Sequence, residues 1–324
     1  MIEYIRVSIG TASQLNLFKI KLAAEPTTAY LMNFVNGKCY ADCAFCTQAK
    51  SSTSSQEYLS RVNWPKFKFR DVLETLKLNR SFKRVCIQTL FYPNYVEDTL
   101  EIVSKIREVT DLPISVSIHP INIDDIKLLK NFGVERIGIG VDAASKRIFD
   151  QVKKFFSWNR TIDLIFKARE IFGWNMISAH LIYGLGDSDY EFIEAICKFY
   201  HGGINVGLFT FTPINGTLME KYDRPNISSY RSIQLAHYLI KNKLAKIDDF
   251  LFDSNGKLLK ILIDKTKLLK VIESGEPFKT TGCPDCNRPF YNESPGEDLY
   301  NYPETNMVIR DLEKIKMQLK HLLN

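Results

Sequence analysis

Between residues 84 and 211 the chain beats between short apolar runs and longer amphipathic ones. Runs at 84–89, 114–118, 136–141, 176–182 and 205–211 are rich in Val and Ile and are bounded by turn formers. That pattern predicts strands, and their near-continuous apolarity predicts burial on both faces. The intervening spacing predicts helices near 95–109, 123–132, 145–154, 159–172 and 188–201. Upstream, residues 28–35 read as one more buried strand, with a helix near 66–79. Six strands alternating with helices predict an α/β fold built on a parallel sheet. With right-handed crossovers, six units fit a partial (β/α)6 barrel. Loops at the C-terminal ends of such strands carry the chemistry, because they vary without disturbing the core.

The flanks break the beat. Residues 1–27 read as an N-terminal extension with a short strand near 4–9, and residues 28–215 as the barrel. Residues 216–324 form a C-terminal extension with helices at 227–244 and 258–273, a turn-rich loop, and an amphipathic tail from 304 to 323.

Composition narrows the class. Of 324 residues, 45% are hydrophobic and 25% charged, which suits a globular chain with a sizeable core. No apolar run approaches the length of a membrane span, and the opening residues lack a signal-peptide core. Seven cysteines, an odd number and clustered, favour reduced thiols and metal over disulfides. The expected compartment is the cytoplasm. The net charge of +6 comes from residues spread along the chain without a nucleic-acid reader motif. An acidic protein partner suits it better than nucleic acid or membrane.

Three of the seven cysteines, Cys39, Cys43 and Cys46, fall within eight residues just after the first barrel strand. Such spacing lets successive thiolates reach one metal centre from a loop. Zinc would want a fourth ligand nearby, and the first histidine is His119. A 4Fe–4S cluster on three cysteines instead leaves one iron open to a chelating molecule. A zinc knuckle or three unrelated thiols is the alternative.

The run Cys39-Tyr40-Ala41-Asp42-Cys43-Ala44-Phe45-Cys46 resembles the signature of the radical S-adenosylmethionine (SAM) superfamily. The resemblance implies that Cys39, Cys43 and Cys46 hold a 4Fe–4S cluster whose open iron binds SAM, with Phe45 packing beside the adenine. It also implies adenine contacts from the stretch Leu181-Ile182-Tyr183-Gly184-Leu185-Gly186, notably Ile182 and Gly184. Without the resemblance that stretch reads as a plain strand-to-helix turn. Asp142, ending the fourth strand, suits ribose hydroxyls or a helix cap, and the two roles are compatible.

Cys283 and Cys286 form a Cys-x-x-Cys pair that alone reads as half a zinc site or a redox dithiol. Cys86 is expected near the barrel mouth, and a C-terminal loop folded over that mouth would join the three thiols around a second cluster. Cys197, mid-helix, reads as a free core cysteine. As a whole the chain resembles the biotin synthase and lipoyl synthase branch. Biotin synthases hold an auxiliary cluster with cysteines on the second, third and fifth strands; here the first is Cys86, but Ser117 and Ser178 stand at the other two. The motif from Gly282 through Cys283, Cys286 and Tyr291 to Glu293 resembles the archaeal-type two-component lipoyl synthase instead. That resemblance implies an auxiliary 4Fe–4S cluster on Cys86, Cys283 and Cys286 that donates sulfur to an octanoyl-lysine, at C8 rather than C6. It implies as partners an octanoylated lipoyl-carrier protein, a second homologous radical SAM protein and an electron donor such as ferredoxin. The rivals are a biotin-synthase-like sulfurtransferase acting on a free small molecule, and a metal-bearing binding protein.

Overall fold

The structure, a computed structural model, describes residues 2–293 and 296–323. It opens with β1 (Tyr4–Val7), the short helix α1 (Ile9–Gln14) and β2 (Thr28–Asn33). After the cysteine loop come a small hairpin, β3 (Tyr58–Leu59) and β4 (Val62–Asn63), then β5 (Lys66–Lys68) and α2 (Phe69–Leu78). The alternating body continues with β6 (Arg84–Gln88), α3 (Tyr95–Arg107), β7 (Ile114–Ser117) and α4 (Ile123–Asn131). Next are β8 (Arg136–Asp142), α5 (Lys146–Val152), α6 (Trp158–Phe172) and β9 (Ile177–Tyr183). The body ends with α7 (Asp189–His201) and β10 (Asn205–Thr210). Beyond it lie α8 (Ile227–Lys241), the hairpin β11 (Phe250–Phe252) and β12 (Leu258–Ile261), and α9 (Lys265–Glu273). The tail holds α10 (Thr305–Arg310), α11 (Leu312–Gln318) and α12 (Lys320–Leu323).

One sheet runs in the order β10-β9-β8-β7-β6-β2-β1-β5. Its six strands from β2 to β10 are parallel and in chain order, the expected open (β/α)6 barrel. The N-terminal extension is built into the sheet: β1 pairs antiparallel with β2, and β5 then pairs antiparallel with β1. Helix starts are fixed locally. Asn122 with Asp125, and Ser188 with Glu191, form reciprocal capping boxes that satisfy the first N–H groups of α4 and α7.

The strands are not apolar on both faces. Leu31, Ile87, Val116, Ile137, Ala179 and Leu208 turn outward and are wholly buried under the helices. The alternate positions turn inward, and register sets them in levels from the N-terminal to the C-terminal strand ends. Above the strand starts Thr28 and Arg84, Tyr30, Cys86 and Ser115 form the first; Gln88, Ser117, Gly138 and Ser178 the next; Gly140, His180 and Gly207 the third. Small and polar residues there leave room that apolar side chains would fill.

Two helix expectations shift. Residues 258–261 pair with β11, and the helix begins only at Lys265, where the Asp264 side chain accepts from the Lys267 N–H. Cross-strand pairing overrides the helical propensity of that Leu-rich run. Similarly, 66–68 form β5 against β1 before α2 starts. No helix among the described residues is long and apolar enough to cross a membrane.

Candidate functional site

The first cysteine loop leaves the C-terminal end of β2 and is closed on itself. Cys39 N–H donates to Gln48 O at 2.9 Å, Lys50 N–H to Ala41 O at 2.9 Å, and Cys46 N–H to Cys43 O at 3.0 Å. The Lys38 ammonium ties the loop's far side, donating to the carbonyl of Thr47 at 2.6 Å and to that of Ser54. Backbone N–H groups point at two sulfurs, Phe91 at Cys39 (3.1 Å) and Gln48 at Cys46 (3.4 Å). Such donors favour thiolate. Burial opposes it: it pushes the Cys46 thiol up to about 12, and raises Cys39 and Cys43 as well. These sulfurs lose their protons when a metal takes the proton's place.

Beside them stands a residue that the sequence pattern did not single out. Lys153, at the end of α5, is 3% exposed and its ammonium lies 2.7 Å from the Asp142 carboxylate. Burial works against that charge, but Asp142 and then Cys43 outweigh it and its pKa is raised. Asp142 itself sits in the left-handed region at φ 67°, a strained conformation that Asp tolerates better than most residues. It does not cap the helix that follows: Asp187 accepts from the N–H groups of Ala144 and Ser145 instead.

The second group of thiols lies at the opposite end of the barrel. Cys86 belongs to the first inward level above the strand starts Thr28 and Arg84, between Tyr30 and Ser115. The C-terminal loop reaches it from the N-terminal ends of the strands. The hydroxyls of Thr27 and Thr28 donate to Asp285 O, and the Arg84 guanidinium to Pro284 O. Thr28 and Arg84 each begin a strand, so the expectation that this loop folds over the C-terminal mouth is corrected. Tyr30 Oη lies 3.5 Å from Cys286 Sγ, Ser115 Oγ 3.4 Å from Cys283 Sγ, and Gln88 Nε2 donates to Cys86 Sγ at 3.1 Å. Burial raises the pKa of Cys86, and Cys283 and Cys286 add to it. Cys197 is a free, half-buried thiol on α7, away from both groups.

A cavity of about 580 Å³ joins the two groups, lined by Phe45, Cys46 and Ile182 at one end and by Cys86, Cys283 and Cys286 at the other. Gly184 faces elsewhere: a Cβ there would lie 2.0 Å from Pro225 Cγ, so its missing side chain serves that packing. Tyr291, on the same C-terminal loop, is half-buried and within electrostatic reach of Cys46 and Asp142. No three His, Cys, Asp or Glu side chains among the described residues close around a single metal ion. A polynuclear cluster puts each thiolate on its own iron, so two open, half-buried, all-sulfur triads suit iron–sulfur clusters better than zinc.

The chain is similar to several known proteins. Two curated relatives are the biotin synthase of Persephonella marina and that of Methanococcus maripaludis. The first is 27% identical over 228 residues, 67% of this chain and 64% of that protein's own length. The second is 25% identical over 240 residues, 72% of each chain. Among solved structures, methylornithine synthase superposes with a TM-score of 0.54 at 14% identity, covering 88% of this chain and 81% of its own. The FeFe-hydrogenase maturase HydG from Carboxydothermus hydrogenoformans gives 0.52 at 18% identity, covering 67% and 51%. These two likenesses show a shared fold. The family model of the radical SAM superfamily matches residues 34–199, from the end of β2 through the cysteine loop and into α7. Spanning more than half of the chain and the loop that carries Cys39, Cys43 and Cys46, that match makes this protein a member of the radical SAM superfamily.

Proposed function

We propose that this radical SAM enzyme inserts sulfur into an octanoyl chain carried on a lysine of a carrier protein, at C8, as one of two homologous components of a lipoyl synthase. The observation that supports it best is the C-terminal loop, which brings Cys283 and Cys286 to Cys86 inside the cavity that Cys46 also lines. When bound, a cluster on Cys39, Cys43 and Cys46 supplies the electron that cleaves SAM, and one on Cys86, Cys283 and Cys286 supplies sulfur.

The protein's own residues bind, orient and shield. Phe45 and Ile182 offer apolar surface for the adenine, and Asp142 holds an acceptor for ribose hydroxyls. Lys153 holds that carboxylate in an ion pair and places a positive charge beside the three cysteines of the first loop. The cavity is lined by residues of both ends, so a substrate chain inside it meets the SAM end and the sulfur end at different places. An acidic carrier surface and an acidic electron donor such as ferredoxin suit the net charge of +6.

The second reading, a biotin-synthase-like enzyme acting on a free small molecule, draws support from the relatives' names. Against it stand Ser117 and Ser178, at positions where the resemblance expects cysteines. Single-turnover mass spectrometry separates the two. Sulfur is expected on an octanoyl-lysyl peptide. Sulfur appearing only on an 8-mercaptooctanoyl peptide would reverse the order of insertion, and conversion of dethiobiotin alone would establish the second reading.

A further inference from the structure

His180 lies on the inner face of β9, between Gly140 and Gly207 on the neighbouring strands. Room for it is made by glycine. A Cβ on Gly138 would lie 2.6 Å from the imidazole Cε1 and Nε2, and one on Gly207 would lie 3.0 Å from Cδ2. The ring therefore leans from its own level down over Gly138, toward the N-terminal strand ends. Gly138 stands opposite Ser117, and Ser117 opposite Gln88, whose amide donates to Cys86 Sγ. One level lower, Ser115 is opposite Cys86 and hydrogen-bonded to Cys283. The imidazole thus lies over the level next above that of Cys86 and Ser115, in the cavity that the second triad also lines.

Its nitrogens have no hydrogen-bond partner among the described residues, and its one ring neighbour is Phe209, edge-on at 5.4 Å. It is the single histidine among the described residues lining the cavity. Burial, with Arg288 and Lys153 nearby, lowers its pKa to about 4, so a nitrogen lone pair is free at neutral pH. Most other groups near the triad are engaged, although Ser178 Oγ and Arg288 Nε have no hydrogen-bond partner among the described residues. The Arg288 guanidinium stacks on Phe209 at 3.8 Å and donates to Thr281 O. Tyr30 Oη accepts from the Arg288 N–H, and Ser115 Oγ donates to Cys283. A Ser117 hydroxyl would have to shed a proton to bind iron well, whereas neutral imidazole ligates as it stands.

We propose that His180 is the fourth protein ligand of the auxiliary cluster, bound through an imidazole nitrogen to the iron that Cys86, Cys283 and Cys286 leave free. This rests on the reading of those three cysteines as cluster ligands. A neutral nitrogen donor leaves iron more readily than a thiolate, which suits a cluster that must open to give up sulfur.

The test uses the full chain with Cys39, Cys43 and Cys46 replaced by Ala, so that only the auxiliary cluster forms. Histidine is labelled with nitrogen-15, and the one-electron-reduced cluster is studied by pulsed electron paramagnetic resonance. A nitrogen-15 coupling is expected, lost in His180→Ala. His180→Cys, which keeps four ligands, should lose the coupling while retaining about four irons. A cluster without histidine coupling, or with coupling that survives either substitution, would overturn the proposal. If the background variant with intact His180 holds no iron, the three-cysteine reading itself fails, a result distinct from a cluster that lacks nitrogen.

Discussion

At the scale of single residues, two thiol groups share one chemistry and differ in what depends on them. Under a strong reductant, Cys43→Ala is expected to abolish 5′-deoxyadenosine formation. Cys286→Ala is expected to leave it intact while about half of the iron is lost. Chromatography of the quenched reaction and iron analysis check both; 5′-deoxyadenosine from Cys43→Ala would sink the assignment of the first loop. The first triad was legible because its spacing is local, three cysteines within eight residues. Lys153 was not, because nothing marks a lysine eleven residues beyond Asp142 until α5 folds its end over the loop. That pair is buried on both sides, at 4% and 15% side-chain exposure. Removing one partner of such a pair costs about 3–5 kcal/mol, because the other charge stays buried alone. Lys153→Met should therefore destabilise by about that much in urea unfolding, and adding Asp142→Asn should restore part of it. Strict additivity of the two changes would show that they do not interact.

At the scale of elements, local pattern succeeded where one face alone decided the structure and failed where a distant partner did. Helix α8 was read correctly to within three residues because its apolar face is continuous; β12 was misread because its pairing with β11 lies outside the run itself. Burial of α8 also makes stability depend on pH. His237, in that helix, accepts or donates a hydrogen bond with Tyr200 at 2.8 Å and lies 3.3 Å from Val206 O. Burial, aided by Lys241, depresses its pKa to about 3. The unfolded chain binds this proton near pH 6.5. Above that value both states are neutral and His237 has no effect. As pH falls through 6.5 the unfolded state takes up a proton that the folded state refuses, so stability is lost until the folded pKa is reached. Between pH 7 and pH 5 this one histidine accounts for about 2 kcal/mol. His237→Gln should flatten the pH dependence of the urea midpoint over that window, and an unchanged slope would mean that the imidazole is protonated in the fold.

At the scale of the whole molecule, the barrel and a C-terminal loop closing on it were legible, but the end and the edge that the loop meets were not. Six strands leave β10 with an unpaired edge, which proteins cover to avoid stray pairing. Here residues 281–293 cover it. The Leu208 N–H donates to Thr281 Oγ1, and the Asn292 side chain donates to Thr210 O. The same loop reaches across to β2, where Arg288 N–H meets Tyr30 Oη and the hydroxyls of Thr27 and Thr28 meet Asp285 O. A segment some seventy residues beyond the last barrel strand thus fills the open side; the cysteine pair marks that loop in the sequence, but no local pattern says which edge it covers. If a cluster joins Cys86 on the barrel to Cys283 and Cys286 on the loop, it also clamps that wall in place. Amide hydrogen exchange then reports the clamp directly, because local opening is read residue by residue. Protein carrying both clusters should protect amides of 283–288. Stripping the iron, or Cys86→Ala, should speed exchange there while β7 and β8 stay protected. Cys39→Ala should leave the 283–288 amides protected, since the first cluster binds the other end of the barrel. Equal exchange at 283–288 with and without iron would show that hydrogen bonds alone hold the wall, and that no cluster spans it.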